Sequence, residues 1–528
     1  MSSLPSRSVA QLWRSWCAWW QELFTAEQWR VLGVGIATLL GASYRLVNLR
    51  DSMQFQADQG RDAIIAFEIL QGNITLIGPS TSVGNMFLGP LYYYFMAPFI
   101  LLAGKDPVGP TLAVALIGVI TVPLLYIVGK RLVGPWAAFF ATLLYATAPA
   151  VIAYTRFSWN PNPAPIITLG VLYSIWRAWH GSARWWLGAV LGFLILIQLH
   201  YVALLIAAPI GIFWVADIVR SFRSKQVARS NQLLLFIPVA FFMLVLSFLP
   251  LIIFNWRFDN LILKGFLDFL DGSSGDSPRS FGDILLLTPE RAKLVLFELW
   301  GLLDKPWFSQ MNSILLGGYA VLMAAGWFIF RRTQYRLGYL ILVVSTLMIA
   351  LGLCFYRGAV FYHYFSFFYP ISYLLTGALL VVLVKLLRWT GILLAAGLFI
   401  WINWLQVQPQ QLYYMEDMGW RVDDMKRTSE RILERIPDDK TYAMTTLSEI
   451  QDYRGLNYRY FLLTSDHPPI SLEEFGSADL LVIIAENPTD PDLVLGSPVY
   501  EVVTFPKGEY SVYPPDGIGP HIYIVERK

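Results

Sequence analysis

A short polar stretch, Phe55-Gln56-Ala57-Asp58-Gln59-Gly60-Arg61-Asp62, holds two carboxylates four residues apart with an arginine between them. Such a trio can move a proton: a carboxylate can take one from a hydroxyl, and a guanidinium can stabilise an anionic leaving group. From Asp58 to Leu70 apolar residues recur at helical spacing, so a surface-lying helix should start at or near Asp58, with Asp58 and Asp62 on one face. The ordinary alternative is that Asp58 caps this helix and Asp62 is solvated. Further candidates follow along the chain: Arg156 in Tyr154-Thr155-Arg156-Phe157-Ser158-Trp159-Asn160-Pro161-Asn162-Pro163, His200 in Gln198-Leu199-His200-Tyr201, Arg357, and His363 in Tyr362-His363-Tyr364. For either histidine the alternative is a helix-end side chain bonded to backbone or to tyrosine.

The elements that must position these residues are membrane helices. Of 528 residues, 56% are hydrophobic and 14% charged, and the mean hydropathy is +0.51, so lipid must solvate most of the chain. Hydropathy marks candidate spans at 31–48, 86–103, 109–128, 135–154, 164–180, 185–199, 202–218, 233–254, 312–330, 337–355, 364–384 and 389–405. The dense basic connections are Lys130-Arg131, Arg220 to Arg229, Arg331 to Arg336, and Lys385 to Arg388. The positive-inside rule sets all four, and the N-terminus, in the cytoplasm. Counting every candidate as a crossing reverses this, so one segment must not cross. Segment 86–103 is the best choice, because it contains Gly89-Pro90 and Pro98 and carries Tyr92-Tyr93-Tyr94; the alternative is that it spans and another short segment, such as 185–199, does not.

About eleven transmembrane helices then remain, plus interfacial or re-entrant helices, in an all-α polytopic membrane protein with a small C-terminal soluble α/β domain. The expected divisions are a cytoplasmic amphipathic segment at 1–30, a transmembrane domain at 31–406 with outer loops 49–108 and 255–311, and an extracytoplasmic α/β domain at 407–528. The last should begin with an amphipathic helix at Glu416 to Ile436, followed by β-type runs at 441–446, 458–464, 480–485, 499–505 and 521–525. All candidate chemistry falls on the non-cytoplasmic side. The long loop 255–311, with its Gly272-Ser273-Ser274-Gly275 tip, could close over a substrate.

A net charge of +2 gives no basis for binding nucleic acid, and two cysteines, Cys17 and Cys354, imply no disulfide framework. Arg7, Arg14 and Arg30 precede an apolar stretch without a small-residue cleavage site, which reads as a retained first helix.

An acidic residue shortly after the first span, an amphipathic helix, and Gly89-Pro90-Leu91-Tyr92-Tyr93 in that order resemble the GT-C glycosyltransferases, in particular the branch of protein O-mannosyltransferases and the lipid A aminoarabinose transferase. The likeness covers residues 31 to 205 well and the remainder in layout. It implies an integral-membrane enzyme, in the bacterial plasma membrane, that moves a hexosyl or pentosyl group from a polyprenyl-phosphate donor to a hydroxyl of a lipid, polysaccharide or protein acceptor. Asp58 takes the place of the catalytic base. Arg61, Asp62, Arg156, His200, Arg357 and His363 form the candidate set for holding substrate and donor phosphate. Two departures stand out. Gln59 replaces the second acid of the family's Asp-Glu pair, and Asn160-Pro161-Asn162 stands where relatives often carry another acid. A divalent metal is thereby short of its expected ligands, and no cofactor is implied. Two other classes remain: a lipid or solute transporter or flippase, which would favour repeated halves and midplane charges, and an inactive scaffold of the same fold.

Overall fold

The computed structural model describes residues 25–81, 86–271, 281–297, 306–356, 362–394, 396–397, 421–448, 452–471, 473–515 and 519–528. Among these, six helices are long and apolar enough to cross a bilayer: Val108–Leu132, Tyr201–Arg223, Val227–Arg257, Met311–Phe330, Arg336–Leu353 and Tyr364–Leu387. The remaining candidate crossings are shorter, broken or more polar. Ala26–Leu46 carries a buried Arg45, and segment 135–154 is two helices, Pro135–Thr147 and Pro149–Tyr154. Ala164–His180 and Trp185–Leu199 pair as a hairpin. Most of 389–405 lies outside the described residues, as do residues 1–24 and the Gly272–Gly275 tip. Segment 86–103 holds only one helix of 12 residues, Leu91–Leu102. At 1.5 Å per residue this is roughly 18 Å, well short of the ~30 Å hydrocarbon core.

Local sequence sets these breaks. Gly134, at φ 93°, takes a backbone conformation that other residues adopt at a cost, and Pro135 then starts the next helix at a position where its missing N–H is no loss. Pro149 restarts the chain in the same way. Where helices cross most closely the contact residue is small: a Cβ on Gly377 would lie 2.2 Å from the carbonyl of Ala137. The Tyr369–Leu387 helix is thereby enclosed over most of its length, whereas Val227–Arg257 exposes Leu235, Phe241, Phe242 and Leu246, a face suited to lipid.

The C-terminal segment forms a four-stranded sheet, β1 (Tyr442–Leu447), β2 (Leu480–Ala485), β3 (Lys507–Tyr513) and β4 (His521–Arg527), in the order β1-β2-β4-β3. β1 and β2 are parallel, and β4 runs antiparallel to both its neighbours. The parallel pair requires a crossover, and the Leu456–Leu463 helix lies within it. That helix occupies the run expected as a strand at 458–464, and Tyr500–Thr504 is likewise helical. Aromatic and β-branched content favours a strand in both runs, but Val499, Val502 and Phe505 are buried at intervals of three, which is helical spacing. The described part of the expected amphipathic helix is Val422–Leu433, buried at Val422, Met425, Ser429 and Ile432.

Candidate functional site

The Ala57–Leu70 helix carries the first carboxylates. Its backbone cap is Gln56, whose N–H donates to Oε1 of Gln59 at 2.9 Å. Gln59 therefore closes the first turn, as the third residue of a capping box does. It is buried and accounted for structurally, at the position where the resembled family has an acid. Asp58 sits in the first turn rather than at the cap, where the helix dipole favours a negative charge.

Arg61 lies between the two carboxylates. Its Nη1 donates to Asp58 Oδ1 at 2.7 Å, and its Nη2 and Nε donate to Asp62 Oδ1 at 2.7 and 2.9 Å. The two acids differ sharply in surroundings, for the Asp58 side chain is 49% exposed and that of Asp62 is 0% exposed. Burial pushes the Asp62 carboxyl up to about 6, with Arg61 opposing the rise. Asp62 is thus not the solvated residue of the ordinary reading.

Asp58 and Arg61 open onto a cavity of about 870 Å³. Its lining also includes Asn160, His200, Tyr201 and Tyr364, and apolar wall from Phe248, Leu251 and Ile252 and from Ile262, Leu263 and Phe266. The latter three lie on Leu261–Asp271, so the start of the long outer loop forms a wall of the cavity. His200 breaks the chain between Trp185–Leu199 and a 3₁₀ turn, Tyr201–Ile206. Its Nδ1 accepts from the N–H of Val202 at 3.3 Å, and its ring lies 4.3 Å from that of Tyr364. In the neutral ring this bond places the proton on Nε2, which can donate to an anion.

Sequence and structure differ for the other candidates. Arg156 does not line the cavity. Its guanidinium donates to the carbonyls of Tyr44, Val47 and Asn48 at 2.5, 2.8 and 3.1 Å, and to Ser52 Oγ, so it satisfies the carbonyls left over at the end of Ala26–Leu46. Asp62 also stays out of the cavity and reaches it only through Arg61. Arg357 lies outside the described residues. The backbone of His363 falls in a 3₁₀ turn, Tyr362–Phe368, and its side chain is outside the described set. Trp159, Asn255, Tyr356 and the apolar walls were not singled out in the sequence, where residues of this kind read as ordinary span and interface.

The C-terminal segment packs directly on this site. A Cβ on Gly60 would lie 2.5 Å from backbone atoms of Leu456 and Asn457, so only glycine allows the Leu456–Leu463 helix to rest there. Arg50 bridges Asp106 and Asp423 at 2.6 and 2.7 Å, Phe55 packs on Tyr460 and Phe461, and the Tyr460 hydroxyl donates to the carbonyl of Lys105 at 2.8 Å.

Residues 88–248 match the family model of dolichyl-phosphate-mannose-protein mannosyltransferase. The crystal structure of ArnT from Cupriavidus metallidurans bound to undecaprenyl phosphate superposes with a TM-score of 0.54 at 14% identity, covering 95% of this chain and 98% of that one. The same protein in the apo state gives 0.56 at 12% identity, again over 95% and 98%. The fold is GT-C. The likeness in fold runs through nearly the whole chain, in keeping with the expected likeness in layout beyond residue 205, and the family match lies within it at 88–248. No curated protein matches the sequence.

Proposed function

We propose that this GT-C protein transfers a sugar from a polyprenyl-phosphate carrier to an acceptor hydroxyl on the non-cytoplasmic face, with Asp58 as general base. The observation that carries the reading is the mixed lining of one cavity of about 870 Å³: a carboxylate and a guanidinium, Asp58 and Arg61, share it with extended apolar walls. A lipid-linked sugar needs that combination, since the prenyl chain seeks apolar walls while the phosphate seeks donors. The acceptor oxygen bonds to the anomeric carbon as its proton passes to Asp58. The bond from that carbon to the phosphate oxygen breaks, and its electron pair leaves with the polyprenyl phosphate. Arg61 and His200, which both line the cavity, stabilise that charge.

The choice of face follows from the helix Tyr201–Arg223. Tyr201 and Val202 line the cavity at one end, and the basic turn Arg220 to Arg229 lies at the other, roughly 35 Å away for 23 residues. With the basic turn in the cytoplasm, the cavity opens outside. Eleven crossings and an extracytoplasmic C-terminal unit belong to the same proposal. So does an acceptor that is a lipid, polysaccharide or protein.

The test uses undecaprenyl phosphate with the purified full chain. Binding should be measurable in the wild type and at least tenfold weaker in Arg61→Gln, since a charge-assisted contact to phosphate contributes at least about 1.4 kcal/mol. Wild-type affinity in both Arg61→Gln and His200→Ala would mean that the phosphate does not sit beside these residues.

A further inference from the structure

Asp62 has no part in the transfer chemistry as described, yet it is the most unusual carboxylate of the site. It is wholly buried, and its Oδ1 accepts from two N–H groups of Arg61. Oδ2 is buried without a well-formed hydrogen bond, next to the Tyr93 phenol. A buried charge in this condition is costly, so it should be absent unless it holds something. What it holds is Arg61, which simultaneously grips Asp58 at 2.7 Å. As the structure stands, one arm of Arg61 therefore occupies Oδ1 of the group that must accept the proton.

We propose that Asp62 is a positioning residue that shares Arg61 with Asp58, so that the base is masked while the cavity is empty and is released when an anionic phosphate takes over the Arg61 edge. The inference rests on the proposed role of Asp58. Asp62 anchors the Nε and Nη2 side of the fork, and Nη1 is the arm on Asp58. An anion arriving from the cavity competes with Asp58 for that arm. Asp62, out of the cavity, keeps the guanidinium from following Asp58. The titratable groups facing Asp62 are Asp58 and Arg61 on its own helix and the phenols of Tyr92 and Tyr93 on Leu91–Leu102.

The test is Asp62→Asn, which keeps the size of the side chain and removes its charge. Arg61 is then left with one carboxylate, and one negative charge is gone from beside the phosphate position. Undecaprenyl phosphate should bind several-fold tighter while kcat falls about tenfold. A loss of kcat with unchanged phosphate affinity would show that Asp62 merely supports the helix, and would overturn the proposal. Wild-type values throughout would do the same. Failure of the wild type to bind undecaprenyl phosphate at all would overturn the donor reading itself. Binding by the wild type that Asp62→Asn leaves unaltered would overturn this inference alone.

Discussion

Gly60→Ala tests whether the C-terminal unit sets the position of the base. The added methyl carbon would stand 2.5 Å from the carbonyl carbon and oxygen of Leu456 and from the nitrogen of Asn457. Ordinary contact needs roughly 1 Å more, and all three atoms are backbone, so no side chain can swing away to make room. Two effects on stability oppose each other. Overpacking of this kind costs about 1–3 kcal/mol, while alanine favours a helix over glycine by about 1 kcal/mol. The net loss should be at most about 2 kcal/mol, a modest fall in Tm. Activity should respond far more. Asp58 is two residues from the clash on the same helix, and a displacement of about 1 Å in a catalytic group can cost about 10²-fold. The assay is release of polyprenyl phosphate from the lipid-linked donor, with thermal unfolding measured alongside. Gly35→Ala is the control: its Cβ meets nothing within 4 Å, so it adds the helix preference without the clash and should leave turnover unchanged. Full turnover and an unchanged Tm in Gly60→Ala would show that the helix and the C-terminal unit are not tightly joined.

Three further outcomes are expected. Asp62 keeps its proton in the folded protein up to about pH 6 but loses it near 3.8 in the unfolded chain, so its contribution to stability falls as pH rises through that window and is level above it. The stability of Asp62→Asn relative to wild type should therefore climb by up to about 3 kcal/mol between pH 4 and 6, and a flat difference in Tm across that range would contradict the shift. Cysteines placed in 255–271 or in the β-sheet should react with an impermeant thiol reagent added from outside, and cysteines at 220–229 should not. Labelling at 220–229 would invert the threading and remove the site from the outer face. Arg50→Gln breaks the bridge to Asp106 and Asp423, both partly exposed, so it should cost only about 1 kcal/mol while making the C-terminal unit more sensitive to protease. Unchanged proteolysis would show that Phe55 and Tyr460 hold the unit without it.

Much of the architecture was legible because lipid imposes a simple requirement. Long apolar runs must be helices, and Pro and Gly mark their ends, so the Val108–Leu132 and Val227–Arg257 helices and the brevity of Leu91–Leu102 could be read from composition and punctuation. The helix at Ala57–Leu70 was legible from its periodicity, and Asp58, Arg61 and His200 fall together in space as their common side of the membrane suggested. Direction was not legible. Nothing in the sequence shows that Arg156 turns back to helix-end carbonyls or that Asp62 points into protein, because both depend on neighbours distant in the chain, Tyr44 to Ser52 in one case and Tyr93 in the other. The cavity walls were hidden for a different reason. Phe248, Ile252 and Phe266 are apolar residues in apolar segments, and only packing separates those that face a cavity from those that face lipid. In the C-terminal segment, runs such as Tyr458 to Thr464 have strand-like composition and become helical because the parallel β1 and β2 need a crossover.

Asp58→Asn bears most directly on the proposed chemistry. The substitution keeps the shape of the side chain and removes the proton acceptor. Because Gln56 and Gln59 form the cap, and the Asp58–Arg61 pair is half exposed on the aspartate side, stability should change by only about 0–1 kcal/mol. Turnover of the polyprenyl-phosphate-linked donor should fall by about 10²–10⁴-fold, the range for loss of a general base. Undecaprenyl phosphate should still bind, and bind somewhat tighter, because Arg61 loses a competitor. Near-normal turnover in Asp58→Asn, in a protein that remains folded and binds the lipid phosphate, would contradict the role of Asp58 as the base.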